Sequence, residues 1–398
     1  MKTREMSYVY WEKTGNCGLR TNIRIVPLAY NNKIWAFEEW NAPNALASSS
    51  DGTTWTTVNG SLPFSIIAWG GYSSTANGMF MCGGFPSSGG VTNHVWSSMD
   101  GVTWNPLADA PWATRYGHCF TLMDHGAPWQ WMIVLGGAGS GTYYNDQWHT
   151  LDGTTWYNPT SAPAYSARWL ATATATISIG PTMALWLMGG ENSGVTYNDV
   201  WKCIPWPWPT YPYSWNWERV TEHAPWDFAS QSISSILLGD KLWVFGRGKI
   251  SGVCEAWYSY DGEDWTEANK PPIPTTMFSR VVSFADQMWI IDHNGDVWAG
   301  TVDLLGSSST STSRSSLSSI SSLSSLTSTS VSSLSSSSMS TYVKTTSSSQ
   351  SSSTQQQTTS SSSIEIRQPK LCSIDLNNYS ANVKDIDLSS TIFNCKGT

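Results

Sequence analysis

Asp51-Gly52-Thr53-Thr54-Trp55 returns as Asp100-Gly101-Val102-Thr103-Trp104, Asp152-Gly153-Thr154-Thr155-Trp156 and Asp261-Gly262-Glu263-Asp264-Trp265. The four tryptophans are spaced by 49, 52 and 109 residues, the last gap holding two periods and a degenerate copy at Asn216-Trp217. A period of about 50 built from β-type segments makes one four-stranded sheet per repeat, and hence a propeller. Propellers host many unrelated activities, so this reading decides the fold and leaves function open.

Each repeat holds more than its turn. Apolar runs end in the glycine pairs Gly83-Gly84, Gly136-Gly137 and Gly189-Gly190, with a broken version at Gly246-Arg247-Gly248. A loop follows, then a Trp eight residues before the cassette Trp, at Trp96, Trp148 and Trp257; Trp201 is the same element, separated from Trp217 by an insertion. The order reads as strand, glycine-permitted exit, loop, strand, Asp-Gly hairpin, outer strand. Asp-Gly is expected to supply the positive backbone angles of a two-residue hairpin. Two tryptophans on one hairpin cannot bury themselves in a single sheet and need the neighbouring blade. All 25 tryptophans fall at or before Trp298.

Inner strand pairs read near 23–38, 64–84, 116–137, 169–190, 231–247 and 280–292, which makes six blades. The last has a third strand at Asp296-Val297-Trp298-Ala299 and no outer strand after it. Tyr8-Val9-Tyr10-Trp11-Glu12-Lys13 carries the missing one, with Trp11 at the cassette position. The expected fold is therefore an all-β, six-bladed propeller over residues 1–305, its ring closed by the N-terminal strand so that no sheet edge stays open.

These residues resemble the kelch repeat. The glycine pairs match its double glycine, and Tyr143-Tyr144-Asn145-Asp146-Gln147-Trp148 and Tyr197-Asn198-Asp199-Val200-Trp201 match its Tyr-Asn-Asp-x-Trp strand. Blades 2 to 4 match well, while blade 1 has Glu38-Glu39 and blade 6 Asp292-His293 where the glycines belong. The resemblance covers roughly residues 7–305. It implies a kelch-type propeller, similar to the central domain of galactose oxidase, and a protein-interaction scaffold as the commonest use. The tyrosines, histidines and Cys–Tyr crosslink of the copper oxidases find no assignment here, so that activity does not carry over. The cassette is also similar to the Asp-box of sialidases, which has one more residue between Asp and Trp; this second likeness is treated as convergent turn chemistry.

From Gly306 to Ser363 serine and threonine dominate, and this tract reads as a disordered linker or stalk. Residues 364–398 regain apolar and charged residues and read as a short segment or the start of another domain, with Cys372 and Cys395 the one pair that looks like a local disulfide. The seven cysteines include no Cys-x-x-Cys, and no metal or cofactor is expected. A net charge of −8 makes a poor nucleic-acid binder. No apolar run is long enough to span a bilayer, and the N-terminus as written carries no secretory signal, which points to the cytoplasm unless the start is incomplete.

Arg115 and Arg168 each lie 21 residues before their glycine pair, and Arg280 heads blade 6, so the three read either as blade-start structural residues or as a ligand-binding triad facing the channel mouth. On the opposite face the insertion displays Trp206, Trp208 and Tyr211, as a contact for protein or sugar or as a cap on blade 4. Asp51, Asp100, Asp152 and Asp261 are expected to accept backbone hydrogen bonds in their own turns. Trp55, Trp104, Trp156 and Trp265 are expected to cement the blades. The function reading is a non-catalytic protein-interaction scaffold. The alternative is an extracellular glycan-binding or adhesion module on an O-glycosylated stalk, and an enzyme ranks third.

Overall fold

The computed structural model describes residues 7–303, apart from 40–42, 65, 126–128, 160–162, 177–182, 207–213 and 274–279. The chain divides into two units, Met1–Thr310 and Ser311–Thr398, and every described residue belongs to the first. The serine-rich tract, Cys372, Cys395, Trp208 and Tyr211 lie outside the described residues. All regular structure among them is β, and none contains a helix long and apolar enough to cross a membrane.

The strands form a six-bladed β-propeller. Blade 1 comprises Arg24–Tyr30, Lys33–Glu39, Leu46–Ser49 and Thr56–Asn59. Blade 2 comprises Gly71–Thr75, Gly78–Cys82, Val95–Ser98 and Asn105–Pro106. Blade 3 has Cys119–Asp124, Gln130–Gly139 and Thr142–Thr150, with a single bridge from His149 to Tyr157 in place of an outer strand. Blade 4 has Thr172–Thr176, Ala184–Met188, Val200–Trp206 and Ser214–Thr221. Blade 5 has Phe228–Leu238, Lys241–Gly248, Cys254–Ser259 and Trp265–Glu267. Blade 6 has Val281–Phe284, Gln287–Ile291 and Asp296–Val302, and takes Val9–Asn16 as its outer strand.

That last pairing closes the ring. It runs antiparallel from Val9 opposite Val302 to Asn16 opposite Asp296, with Trp11 opposite Gly300. The innermost strands contact one another in sequence, and blade 6 returns to blade 1. Six buried apolar clusters fill the gaps between neighbouring blades; one joins Phe37 and Trp35 to Tyr72 and Trp104, another Trp243 and Phe245 to Met288 and Ile290. The core of this domain thus lies between sheets, as the paired tryptophans require.

The Asp-Gly turns differ from the two-residue hairpin expected. Only the glycine adopts a positive φ, +71° at Gly52, +74° at Gly101, +76° at Gly153 and +80° at Gly262. Each loop begins at a hydroxyl residue two places before the Asp: Ser49, Ser98, Thr150 or Ser259. In the second copy the Ser98 hydroxyl donates to Asp100 and accepts from Gly101 N at 2.8 Å. Asp100 Oδ1 accepts from Val102 N and Thr103 N, and Trp104 Nε1 donates to Gly101 O at 3.1 Å. These amide donors hold the Asp100 carboxyl below its ordinary value against the opposing effect of burial. The loop is a self-satisfied cap that returns the chain and seats the outer-strand Trp.

The glycine has a second role. A Cβ at Gly52 would sit 2.0 Å from the Trp289 ring, at Gly101 2.3 Å from Trp35, and at Gly262 2.2 Å from Trp186. Gly153 would meet Phe80 at 3.1 Å. Trp289, Trp35, Phe80 and Trp186 occupy the same place in the second strand of the preceding blade. Each turn therefore lays bare backbone on the aromatic of the blade before it. Blade 4 has the insertion instead of the turn, and the corresponding residue before it, in blade 3, is Ile133.

Candidate functional site

The arginines expected at the channel mouth separate into two groups. Arg115 and Arg168 are 0% and 2% exposed. Arg115 grips Asp146 through both terminal nitrogens at 2.6 and 2.7 Å and donates to Gly136 O and Ala113 O. Arg168 repeats this with Asp199 at 2.6 and 2.9 Å, Gly189 O and Ser166 O. The guanidinium carbons lie 4.5 Å from the Tyr144 ring and 4.2 Å from the Tyr197 ring. Asp146 and Asp199 also accept from Trp148 and Trp201 of the same Tyr-Asn-Asp-x-Trp strands. The carbonyls of Arg115 and Arg168 accept from Gly84 N and Gly137 N of the preceding blade.

This corrects the placement of Arg115 and Arg168 at the channel mouth. Each guanidinium is enclosed by its own blade while its backbone holds the previous one, so the residue staples two blades and presents no exposed donor to a ligand. The glycines before and after this staple are forced: a Cβ at Gly136 would meet Arg168 O at 2.6 Å. Where blade 1 lacks the glycine pair, Glu38 takes over, accepting from Arg20 N, the Arg20 side chain and Ala45 N.

Arg280 is different. It precedes the innermost strand of blade 6 and lines the central channel, a cavity of about 450 Å³ walled by all six innermost strands. Arg24 lines the same channel, with Nη1 3.1 Å from Glu39 Oε2 in an ion pair. The Glu39 oxygens are further engaged by Trp69 N and Gly70 N of blade 2, which explains why the first strand of blade 2 begins only at Gly71. Burial, then the like charge of Arg24, lowers the Arg280 pKa from its ordinary value. Burial, Arg115 and Arg280 push His118 well below 6.5, so it is neutral at pH 7. Its ring nitrogen lies 3.4 Å from Cys82 Sγ. Tyr72 is pushed well above its ordinary range by burial first and the Glu39 charge second.

Around one mouth of this channel stands an aromatic rim that sequence reasoning missed. Trp69, Tyr116 and Trp169 precede or begin the approach to the innermost strands of blades 2, 3 and 4. Their rings lie 5.3 to 5.6 Å apart, Trp169 edge-on to both others. Phe85 and Tyr143 extend the group against Tyr116 and Trp169. All five are half-buried. Beneath them runs a backbone chain across blades, with Gly117 N donating to Trp69 O and Leu170 N to Gly117 O. Trp69, Gly117 and Leu170 share a left-handed φ of +54°, +63° and +55°. For Trp and Leu that conformation costs about 1–2 kcal/mol each, and such outliers persist where the surroundings over-determine them.

On the opposite face, Trp206 ends the third strand of blade 4, before the insertion. Cys17, Cys203 and Cys254 are all buried thiols. Among the described residues no group of three or more His, Cys, Asp or Glu could hold a metal ion.

Among curated proteins, none matches the sequence at a significant level. In structure, 370 solved chains match at a significant level. One, titled "Structure of YjhT", is 12% identical, with a TM-score of 0.54 over 72% of this chain and 99% of its own; this likeness shows the fold alone. A family model described as the DUF6242 beta propeller domain matches residues 5–204, half of the chain, which takes in the closing strand, blades 1 to 3 and most of the first three strands of blade 4. The chain belongs to the DUF6242 β-propeller family.

Proposed function

We propose that the chain is a kelch-type propeller acting as a non-catalytic interaction scaffold, which engages a protein partner through the rim around Trp69, Tyr116 and Trp169. The glycine pairs and the Tyr-Asn-Asp-x-Trp strands stacked beneath Arg115 and Arg168 support the kelch-type reading. The observation that carries the binding reading is the rim itself. Large half-buried rings in mutual contact, held on strained backbone at a channel mouth, supply area at low entropic cost, and such residues dominate interface energetics. In this reading the serine- and threonine-rich tract tethers the propeller to whatever it serves.

A photo-crosslinking residue placed at Phe85 or Tyr143 tests this, with one at Val102 as the control; Val102 lies in an Asp-Gly turn on the opposite face and is 56% exposed. The expected result in native extract is one protein crosslinked from the rim positions and lost in Trp169→Ala. Crosslinks confined to Val102 would overturn the reading, as would binding of glycans alone or turnover of a substrate. Glycan binding at the rim would instead establish the adhesion alternative, since flat aromatic faces also suit sugar rings.

A further inference from the structure

The channel behind the rim carries an independent observation. Its lining includes serines, threonines, Tyr72 and apolar side chains from every innermost strand, and among the described residues its only charged side chains are Arg24 and Arg280. Among the described residues no carboxylate lines it, although Asp and Glu outnumber Lys and Arg by 29 to 21 in the chain. Arg24 is matched by Glu39, whose oxygens are shared with two backbone amides. Arg280 makes no hydrogen bond or ion pair among the described residues.

This is an exception within the protein. The other arginines that head a blade are each given a carboxylate: Arg20 has Glu38, Arg115 has Asp146, and Arg168 has Asp199. Asp146 and Asp199 belong to the Asp-x-Trp step of their third strands, whereas the matching residue of blade 6, Asp296, is engaged by Lys13 and Asn16. Two guanidiniums, Arg24 and Arg280, thus share the single negative charge of Glu39, which pairs directly with Arg24 and reaches Arg280 only through space, and that excess of positive charge in a partly buried channel is a cost the fold has not removed. We propose that the central channel is an anion site, in which Arg280, with Arg24 beside it, receives the carboxylate or phosphate group of a small molecule.

The surroundings suit that ligand. Guanidinium groups bind both oxyanions through paired, charge-assisted hydrogen bonds. The hydroxyls of Thr172, Thr174 and Ser235 form a bonded group on the wall, at 2.8 and 2.6 Å, and can reorient toward an oxygen acceptor. A cavity of about 450 Å³ holds a small molecule rather than a folded partner. His118 stays neutral and adds no competing charge. The site lies behind the rim, with Trp69 at their border, and survives failure of the scaffold reading, because its probes are salts and not a protein.

The test is calorimetric titration of the full chain with sodium phosphate and, separately, with sodium glutarate, at matched ionic strength in sodium chloride. The expected result is saturable binding of one probe with a Kd of about 1 mM or tighter. Preference for phosphate or for glutarate identifies the source of the anion. Arg280→Gln should weaken that binding at least about tenfold, a change of about 1.4 kcal/mol, and Arg280→Lys should restore part of it. Without anion, Arg280→Gln should melt no lower than wild type, since it breaks no hydrogen bond and relieves a repulsion with Arg24 that outweighs the attraction of Glu39. Three results would each overturn the proposal: neither probe binding above chloride, equal binding by Arg280→Gln, or a lower melting temperature of that variant in the absence of anion.

Discussion

Replacing Gly101 by Ala adds one methyl group at a place where two costs can be separated. Gly101 has φ of +74°. An L-residue there costs about 1–2 kcal/mol. The added Cβ would also lie 2.3 Å from Cζ3 and 2.9 Å from Cη2 of Trp35, and 3.2 Å from Leu46 Cδ2. The Trp35 ring cannot simply swing away. It is 4% exposed, and its Nε1 donates to Tyr30 O at 3.0 Å. Overpacking of this kind costs about 1–3 kcal/mol. Gly18 supplies the control, with φ of +73° and nothing within 4 Å of a Cβ. Gly18→Ala should therefore lose only the backbone term, about 1–2 kcal/mol, and Gly101→Ala about 2–5 kcal/mol in all. The assay is urea unfolding followed by tryptophan fluorescence, with thermal melts beside it. At about 2–4 °C per kcal/mol, the two variants should differ by several degrees. Trp35→Leu in the Gly101→Ala background should recover part of the loss, because neighbours in contact are not additive. If Gly101→Ala costs no more than Gly18→Ala, blade docking on the bare turn is wrong.

Two further outcomes follow from the same geometry. Asp199→Ala leaves the Arg168 guanidinium, 2% exposed, without its carboxylate and should cost about 3–5 kcal/mol in urea unfolding, while the double variant Arg168→Met/Asp199→Leu should recover most of it; a single-variant cost under about 1 kcal/mol would show that the pair staples nothing. Acid should weaken the propeller before its carboxylates titrate: burial holds His149 at about 3 and His118 well below 6.5, so the unfolded chain binds more protons and stability falls as pH drops below 6.5, by up to about 1.4 kcal/mol per pH unit for each. Asp51, Asp100 and Asp152, whose folded values are depressed, add to the loss below about pH 4. An unfolding free energy that stays level from pH 7 to pH 5 would contradict the burial of these histidines.

The blade count and the closure through Trp11 were legible because both rest on a repeat, and repetition multiplies a weak local signal. The turn geometry departs from the Asp-Gly hairpin pattern, although the residues that set it recur in the sequence. Ser49, Ser98, Thr150 and Ser259 recur two residues before the Asp, and that shared hydroxyl distinguishes a capped loop from a two-residue hairpin. The arginines were grouped by their distance to glycine, which relates Arg115 to Arg168. The distance that assigns their role is the 31 residues to Asp146 and Asp199. The rim had no signature at all. Trp69, Tyr116 and Trp169 meet only because three innermost strands converge on one channel, and the backbone angles that place them arise from hydrogen bonds between blades.

Ring closure by the N-terminal strand also imposes a schedule on synthesis. Lys13 and Asp296, which meet across the closing pair, are separated by 283 residues. At translation rates of about 5–20 residues per second, roughly 15–60 s pass between the emergence of one and of the other. Through that interval Val9–Asn16 is a finished strand with no mate, and the open side of blade 1 waits beside it. Blades 1 to 5 can stack as they emerge, but the barrier against their opening exists only once the last strand has left the ribosome. Of the propeller's strands, the one made first is the last to be locked, and the nascent chain depends on whatever shields it in the meantime.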